Sequence, residues 1–181
     1  MSLDLGKLEK LNLRKAWKHE SSEFTPWLAQ EENLNQLVEA LGLAELELVQ
    51  TEYQVGDFKL DILCTDEGGE VIIENQLDAT DHKHLGQILT YAAGVGAKKV
   101  IWVAESFRTE HIAALDFLNH NTTSELNFIA VEMTLWRIAD SPMAPSFNVV
   151  VKPNDWSKIN RESARRFDQH PGQAIAVAVL D

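Results

Sequence analysis

Basic residues, cysteine, proline and long apolar runs are all scarce in this chain. Against 28 Asp and Glu stand only 16 Lys and Arg, a net charge of −12, which argues against a surface that binds a polyanion over its whole area. The single cysteine, Cys64, excludes an intrachain disulfide; it sits in a predicted strand, alternates with core residues and has no His or Asp pattern beside it to make it a nucleophile. No zinc spacing, P-loop, GxSxG or dinucleotide fingerprint is present, and no repeat or low-complexity segment. No run approaches the ~20 apolar residues that span a bilayer, and Met1-Ser2-Leu3-Asp4 lacks the charged-then-apolar layout of a signal peptide. The expectation is a cytoplasmic protein that does not engage a membrane.

What is present is enough for one domain with a real core: 181 residues, 45% of them hydrophobic, an ordinary share for a globular chain. The charge is unevenly spread. Glu20 to Asp78 holds fifteen acids and, as its only base, Lys59. Lys7, Lys10, Arg14, Lys15 and Lys18 precede that stretch; Lys152, Lys158, Arg161, Arg165 and Arg166 come late. A metal centre needs local acids, and a phosphate track could use the basic ends. A solvated acidic face with ordinary surface lysines accounts for the same distribution.

Residues 1–24 read as an amphipathic or irregular arm. Thr25-Pro26-Trp27 starts a helix, with Thr25 as its cap and proline in the first turn. Leu28, Leu34, Leu37, Val38 and Leu41 keep helical spacing until Gly42 stops it. A strand from Leu46 to about Val55, a turn at Gly56-Asp57, a strand Phe58–Cys64, a turn at Glu67-Gly68-Gly69 and a strand Val71–Gln76 follow. Thr80 or Asp81 caps a helix to about Val95. Lys99–Glu105 reads as strand, Thr109–Leu118 as helix and Phe128–Ile138 as strand with a break near Met133. Residues 140–156 read as an extended loop holding one short strand, Phe147–Val151, and Asp155–Phe167 as a helix. The order implies an α/β protein, a mixed sheet flanked by helices. The boundaries read from it are an arm at 1–19, a core domain at 20–139 and an extension at 140–181. Because the chain ends on an apolar Ala-Ile-Ala-Val-Ala-Val-Leu stretch, that extension reads as a dimer element or the start of a further domain.

Alternation decides which side chains share a strand face. Phe58, Leu60, Ile62 and Cys64 form one face, Lys59, Asp61 and Leu63 the other; on the next strand Ile72, Glu74 and Gln76 oppose Val71, Ile73 and Asn75. Pairing these strands brings Asp61 beside Glu74 and Gln76. An acid inside a buried strand costs several kcal/mol unless something pairs with it or binds it, and paired carboxylates are the oxygen ligation that Mg²⁺ or Mn²⁺ prefers. On the following helix His84, Gln87 and Tyr91 fall at i, i+3 and i+7 on one face, and the helix start at Thr80-Asp81-His82 is placed to point N–H groups at a phosphate.

These residues resemble the PD-(D/E)XK nuclease superfamily. Asp61 matches the acid of its second strand, Glu74 the acid of the (D/E)-x-K tripeptide on the third, and Gln76 stands where the lysine would. Gln87-Ile88-Leu89-Thr90-Tyr91 resembles the QxxxY motif of a subset of these nucleases, and the nearest likeness is to mismatch and branched-DNA endonuclease domains and uncharacterised bacterial proteins. The resemblance covers about residues 20–105. It implies a restriction-endonuclease-like αβββαβ core and a Mg²⁺- or Mn²⁺-dependent endonuclease hydrolysing DNA phosphodiester bonds. Asp61 and Glu74 would be the metal ligands, Gln76, Glu52 and Glu23 further members of the catalytic set, and Gln87, Tyr91 and His84 substrate contacts. Nucleic acid, with DNA foremost, is the implied partner, and a homodimer is left open. Glutamine carries no charge, so the electrostatic contribution of the lysine is missing; Lys59, on the face of Asp61, has the reach to replace it.

Each residue has a plainer rival reading. Asp61 and Glu74 could be a structural pair for Lys59 or an arginine, and Tyr91 a core residue. His84 could be a cap, and His82 reads as solvent-facing. Asp57 serves the turn most simply, and Glu23 and Glu52 could be solvated acids. Trp17, Trp27, Trp102, Trp136 and Trp156 read first as core or interface before base-stacking platforms. For the whole chain, the rivals are a catalytically weakened nuclease fold that only binds nucleic acid or another protein, and an interaction module of a repair or defence system.

Overall fold

A computed structural model of the chain describes Leu3 and residues 5–153. The elements are β1 (Leu8–Leu11), a 3₁₀ turn (Leu13–Lys15), a π-helical turn (Glu20–Phe24), α1 (Thr25–Leu28), α2 (Glu31–Leu41), β2 (Glu47–Val55), β3 (Phe58–Asp66), β4 (Gly69–Asn75), α3 (His82–Val95), β5 (Lys99–Ala104), α4 (Thr109–Asn121), β6 (Asn127–Ile138) and β7 (Ala144–Val151). They build an α/β protein with one seven-stranded mixed sheet flanked by helices. The order α2-β2-β3-β4-α3-β5 is the αβββαβ core expected. Strands β2, β3 and β4 form an antiparallel meander, and β4, β5 and β6 run parallel. The first half of β6 pairs β5, its last turn of strand (Leu135–Ile138) pairs β1, and β7 lies along its other edge. No described helix is long and apolar enough to cross a membrane.

The two tight hairpins are where the turn residues put them, Val55 facing Phe58 and Asp66 facing Gly69. Gly42 takes φ +67° and ends α2 in the left-handed conformation, as a residue without Cβ does at little steric cost. Cys64 is fully buried, and burial pushes its thiol up to about 12, so it is an inert core residue.

Several expectations need correction. The arm is not irregular throughout: Leu8–Leu11 is a strand on β6, too short for its alternation to register. The helix expected from Thr25 to Leu41 is two helices broken at Ala29-Gln30. Asn33 Nδ2 donates across the break to the Trp27 carbonyl at 2.8 Å, beside the Gln30 N–H that the same oxygen accepts. Thr25 is no cap: it continues the π-helical turn, and its buried hydroxyl accepts from Asn75 Nδ2 at 2.9 Å. The loop expected over 140–156 carries the longer strand Ala144–Val151, which includes Pro145; proline is tolerated there because β7 pairs β6 alone and is an edge. β6 runs unbroken through Met133. The helix expected at Asp155–Phe167, and Trp156, lie outside the described residues.

Two apolar clusters sandwich the sheet. Ile62, Cys64, Ile73, Ile101, Val103 and Val131 pack under the N-terminal helices with Leu28, Leu34 and Leu37. Leu63, Ile72, Val100, Trp102 and Phe128 pack under α3 and α4 with Ile88, Tyr91 and Leu115. Leu60 departs from its expected face and joins the second cluster, at the point where the β2–β3 ladder is distorted.

A histidine pair ties the two helix starts together. His82 is exposed but not free: its Nδ1 lies 2.8 Å from Nε2 of buried His111, whose Nδ1 is hydrogen-bonded to buried Thr80 Oγ1 at 2.7 Å. Burial, then the neighbouring His82 and Arg108, hold the His111 imidazole below its ordinary value against Asp81 and Glu110. The unfolded chain therefore takes up the proton first as pH falls. The stabilisation is complete above about pH 6.5 and is lost as pH drops toward the folded value. The melting temperature is expected to fall between pH 7 and pH 5, and less steeply for His111→Gln; parallel profiles for the two proteins would refute this.

Candidate functional site

The carboxylates meet where the sheet comes apart. The β3–β4 ladder stops at Ile62 facing Ile73. One step further the Asn75 N–H turns away from the backbone and donates to Asp61 Oδ2 at 2.8 Å. On the other side of Asp61, Glu52 takes φ +51°, unusual for a residue with a side chain, and the β2–β3 pairing skips from Thr51–Ile62 to Tyr53–Leu60. These two interruptions leave a cleft of about 390 Å³ whose floor includes Asp61, Glu74 and Asn75.

Asp61 is half-buried, and Glu74 is only 3% exposed. Burial, followed by the charges of Glu52 and Glu20, pushes Asp61 up to about 7, although its bond from Asn75 opposes the shift. Burial and then the neighbouring Asp61 push Glu74 up to about 9, with Glu20 and Glu52 adding. No described base pairs with either carboxylate. Among the described residues, Glu52 Oε1, Glu74 Oε2, Asn75 Oδ1 and Gln87 Oε1 are buried acceptors with no partner; the other buried polar atom without one is Arg137 Nε, on β6. Glu74, Asn75 and Gln87 line the cleft, and Glu52 acts electrostatically on both acids of its floor.

The N-terminal segment supplies a different acid from the one expected. Glu23 is exposed and accepts from the N–H groups of Lys18 and His19, which hold its carboxyl below the usual range; it does not line the cleft. Glu20, one turn earlier, does line it, and its Oε1 accepts from Leu77 N at 2.8 Å. Gln76 is buried under the site with both ends of its amide engaged: Oε1 accepts from Trp102 Nε1 at 2.9 Å and Nε2 donates to the Ala79 carbonyl at 2.8 Å. It does not line the cleft.

α3 places the remaining residues. Asp81 caps it, accepting from His84 N at 2.9 Å, so a carboxylate occupies the helix start assigned above to a phosphate. The same Asp81 carboxylate holds His84 Nδ1 at 2.9 Å and turns that ring to the cleft wall. Gln87 Nε2 donates to Tyr91 Oη at 3.0 Å. Tyr91 is buried beneath it, so Gln87 lines the cleft and Tyr91 orients it.

Cations ring this acidic floor. Arg14, Lys18, Lys59 and Lys83 line the cleft. Arg14 is ion-paired to Asp78 and donates to the Lys18 carbonyl, and Lys18 Nζ donates to the Arg14 carbonyl at 2.7 Å. Lys59 and Lys83 are exposed, and their ammonium groups have no hydrogen bond or ion pair to a described residue. A second concavity of about 480 Å³, walled by Glu45, Glu47, Asp66, Glu67 and Lys99, has its one cation neutralised by Asp66 at 2.5 Å and holds no orphaned group.

The donor set at the floor is hard oxygen, which suits Mg²⁺ or Mn²⁺, and the orphaned Glu52 and Glu74 oxygens are the groups a cation would satisfy. No three His, Cys, Asp or Glu side chains among the described residues are already arranged around one metal position. Mg²⁺ commonly uses one or two carboxylates and keeps several waters, so the residues present fit such an ion.

No protein-family model matches the chain, and no curated protein sequence matches it. Among solved structures it is similar to a repair endonuclease from Pyrococcus abyssi, with a TM-score of 0.45 and 17% identity over 64% of this chain and 48% of that one. It is also similar to EndoMS in a complex with double-stranded DNA, with a TM-score of 0.40 and 19% identity over 56% and 44% of the two chains. SfsA of Pyrococcus furiosus, in complex with Ca²⁺, gives 0.40 and 14% over 67% and 60%. The chain thus spans 44% to 60% of the length of each solved chain it matches.

Proposed function

We propose that this protein hydrolyses phosphodiester bonds in nucleic acid, DNA foremost, with a divalent metal ion held by Asp61 and Glu74. The observation that carries this reading is the unpaired buried carboxylate floor beneath a rim of uncommitted lysines. Unpaired buried acids are costly to a fold, and a site that keeps them under free cations is built for a cation below and an anion above. The match of Asp61, Glu74, Gln87 and Tyr91 to the nuclease motifs supports the same reading. Glu52 and Glu20 stand beside the two ligands as outer oxygens.

When bound, such an ion supplies Lewis-acid polarisation of the phosphate and a more acidic water. The chain's own residues do the rest. Lys83 and the outward edge of His84 hold the phosphate at the mouth of the cleft. Gln87, fixed by Tyr91, offers an acceptor to a water or sugar hydroxyl. Gln76 is a support for the floor, and Lys59 is the one cation on the strand of Asp61, so it takes the place of the motif lysine in offsetting charge on the attacked phosphate. A second reading, a fold that binds nucleic acid without cutting it, is favoured by the absence of a cation at position 76.

Cleavage of labelled single-stranded, duplex and forked DNA with Mg²⁺ or Mn²⁺ separates the two. Metal-dependent cutting that disappears in Asp61→Asn supports the enzyme. Binding without cutting by both proteins establishes the binding module instead.

A further inference from the structure

The lining of the cleft determines which part of a nucleic acid it can read. Reading a base takes either a flat apolar surface to stack on or a fork of donors and acceptors matched to a base edge. Among the described residues that line the cleft the flat rings are the two small imidazoles of His19 and His84, and no side chain is left with a free fork. No aliphatic, Phe, Tyr or Trp side chain contributes to its wall. The indole and phenyl rings of the N-terminal segment are spent on one another: Trp17 lies 4.8 Å from Phe24 and 4.6 Å from Trp27, ring centre to ring centre, and Trp17 and Phe24 are buried.

The forked groups are committed as well. The guanidinium of Arg14 is taken by Asp78 and the Lys18 carbonyl. Asn75 Nδ2 is given to Thr25 and Gln87 Nε2 to Tyr91, so each of these amides has only an acceptor oxygen left. His84 Nδ1 is held by Asp81. The ammonium groups of Lys59 and Lys83 and the exposed side chains of His19 and Ser21 have no hydrogen bond to a described residue, and the ammonium groups hold a phosphate as point charges that carry no directional code. We propose that the cleft grips the sugar–phosphate chain alone and is blind to the bases, so that its substrate class is a phosphodiester backbone of any sequence. This rests on the phosphodiester reading above.

The test compares three otherwise identical single strands: a normal one, one with a run of abasic tetrahydrofuran nucleotides at the position cut, and one with uncharged methylphosphonate linkages there. Binding is read by anisotropy in Ca²⁺ and cutting in Mn²⁺. The abasic strand is expected to bind and be cut within about threefold of the normal strand, since no stacked base is lost. Its affinity should fall with salt at the same slope, whereas the methylphosphonate strand should lose both binding and cutting at the modified linkages. A stacked or edge-read base would cost the abasic strand about fivefold or more per base. That result, with the normal strand intact, overturns base-blindness and leaves the phosphodiester reading standing. Failure to bind any of the three overturns both.

Discussion

Asp61→Asn is expected to abolish metal-dependent cleavage and at the same time to raise the melting temperature of the metal-free protein at pH 8. The first effect follows from removing a charge of the proposed metal site: a bound ion would supply several kcal/mol of charge stabilisation, so the loss is on the order of 10³-fold or more. The second follows from burial. Asp61 is pushed up to about 7 and Glu74 to about 9, so between the unfolded values near 4 and these folded values each keeps a proton that the unfolded chain has already released, and at pH 8 Asp61 is held ionised against its burial. A carboxyl raised in this way contributes most below its unfolded value near 4 and becomes a liability as pH climbs through the folded value. Metal-free stability should therefore decline from about pH 5 to pH 9. Asparagine keeps an acceptor for the Asn75 N–H, brings donors toward the orphaned oxygens of the floor and ends the repulsion, a gain on the order of 1–3 kcal/mol at pH 8. Millimolar Mn²⁺ should raise the melting point of the wild type and leave that of Asp61→Asn unmoved. A variant less stable than wild type across that pH range, with a normal Mn²⁺ shift, would show that the carboxylates are a paired structural element.

That trade between stability and chemistry was legible in part. Asp61 and Glu74 could be placed side by side because strand alternation and a two-residue turn at Glu67-Gly68 fix the register over a short span. Gln87 and Tyr91 could be placed on one face because helical periodicity is local too, and their bond follows. What escaped depends on distant partners or on an irregular turn. Glu20 and Glu23 are both acids ahead of the same helix, and only the π-helical turn decides that Glu20 faces the cleft. Gln76 reads as a site residue until Trp102, on the neighbouring parallel strand, is seen to claim its amide. His111 carries no motif and finds His82 only because the starts of α3 and α4 are brought together. β1 and β7 add to a sheet whose middle was clear, at edges where four residues or a proline hide the pattern.

The fate of Gln76 leads to the other large effect. Lys59→Met is expected to slow cleavage on the order of 10²-fold, the usual loss when one charged or hydrogen-bonding group stops stabilising a transition state. The Mn²⁺-induced rise in melting temperature should be retained, because Lys59 is exposed and holds no part of the fold. Lys59→Arg should recover most of the rate, since the charge persists even though its shape changes. Gln76→Met is the contrasting variant. It orphans the Trp102 N–H and the Ala79 carbonyl, costing about 1–3 kcal/mol of stability, yet cleavage per folded molecule should fall far less than in Lys59→Met. The two variants thus separate a residue that acts on the phosphate from one that supports the floor beneath it. If Gln76→Met silenced a folded, metal-binding protein while Lys59→Met cut at the wild-type rate, the motif position would be the working one, and the amide would have to leave Trp102 to reach the cleft.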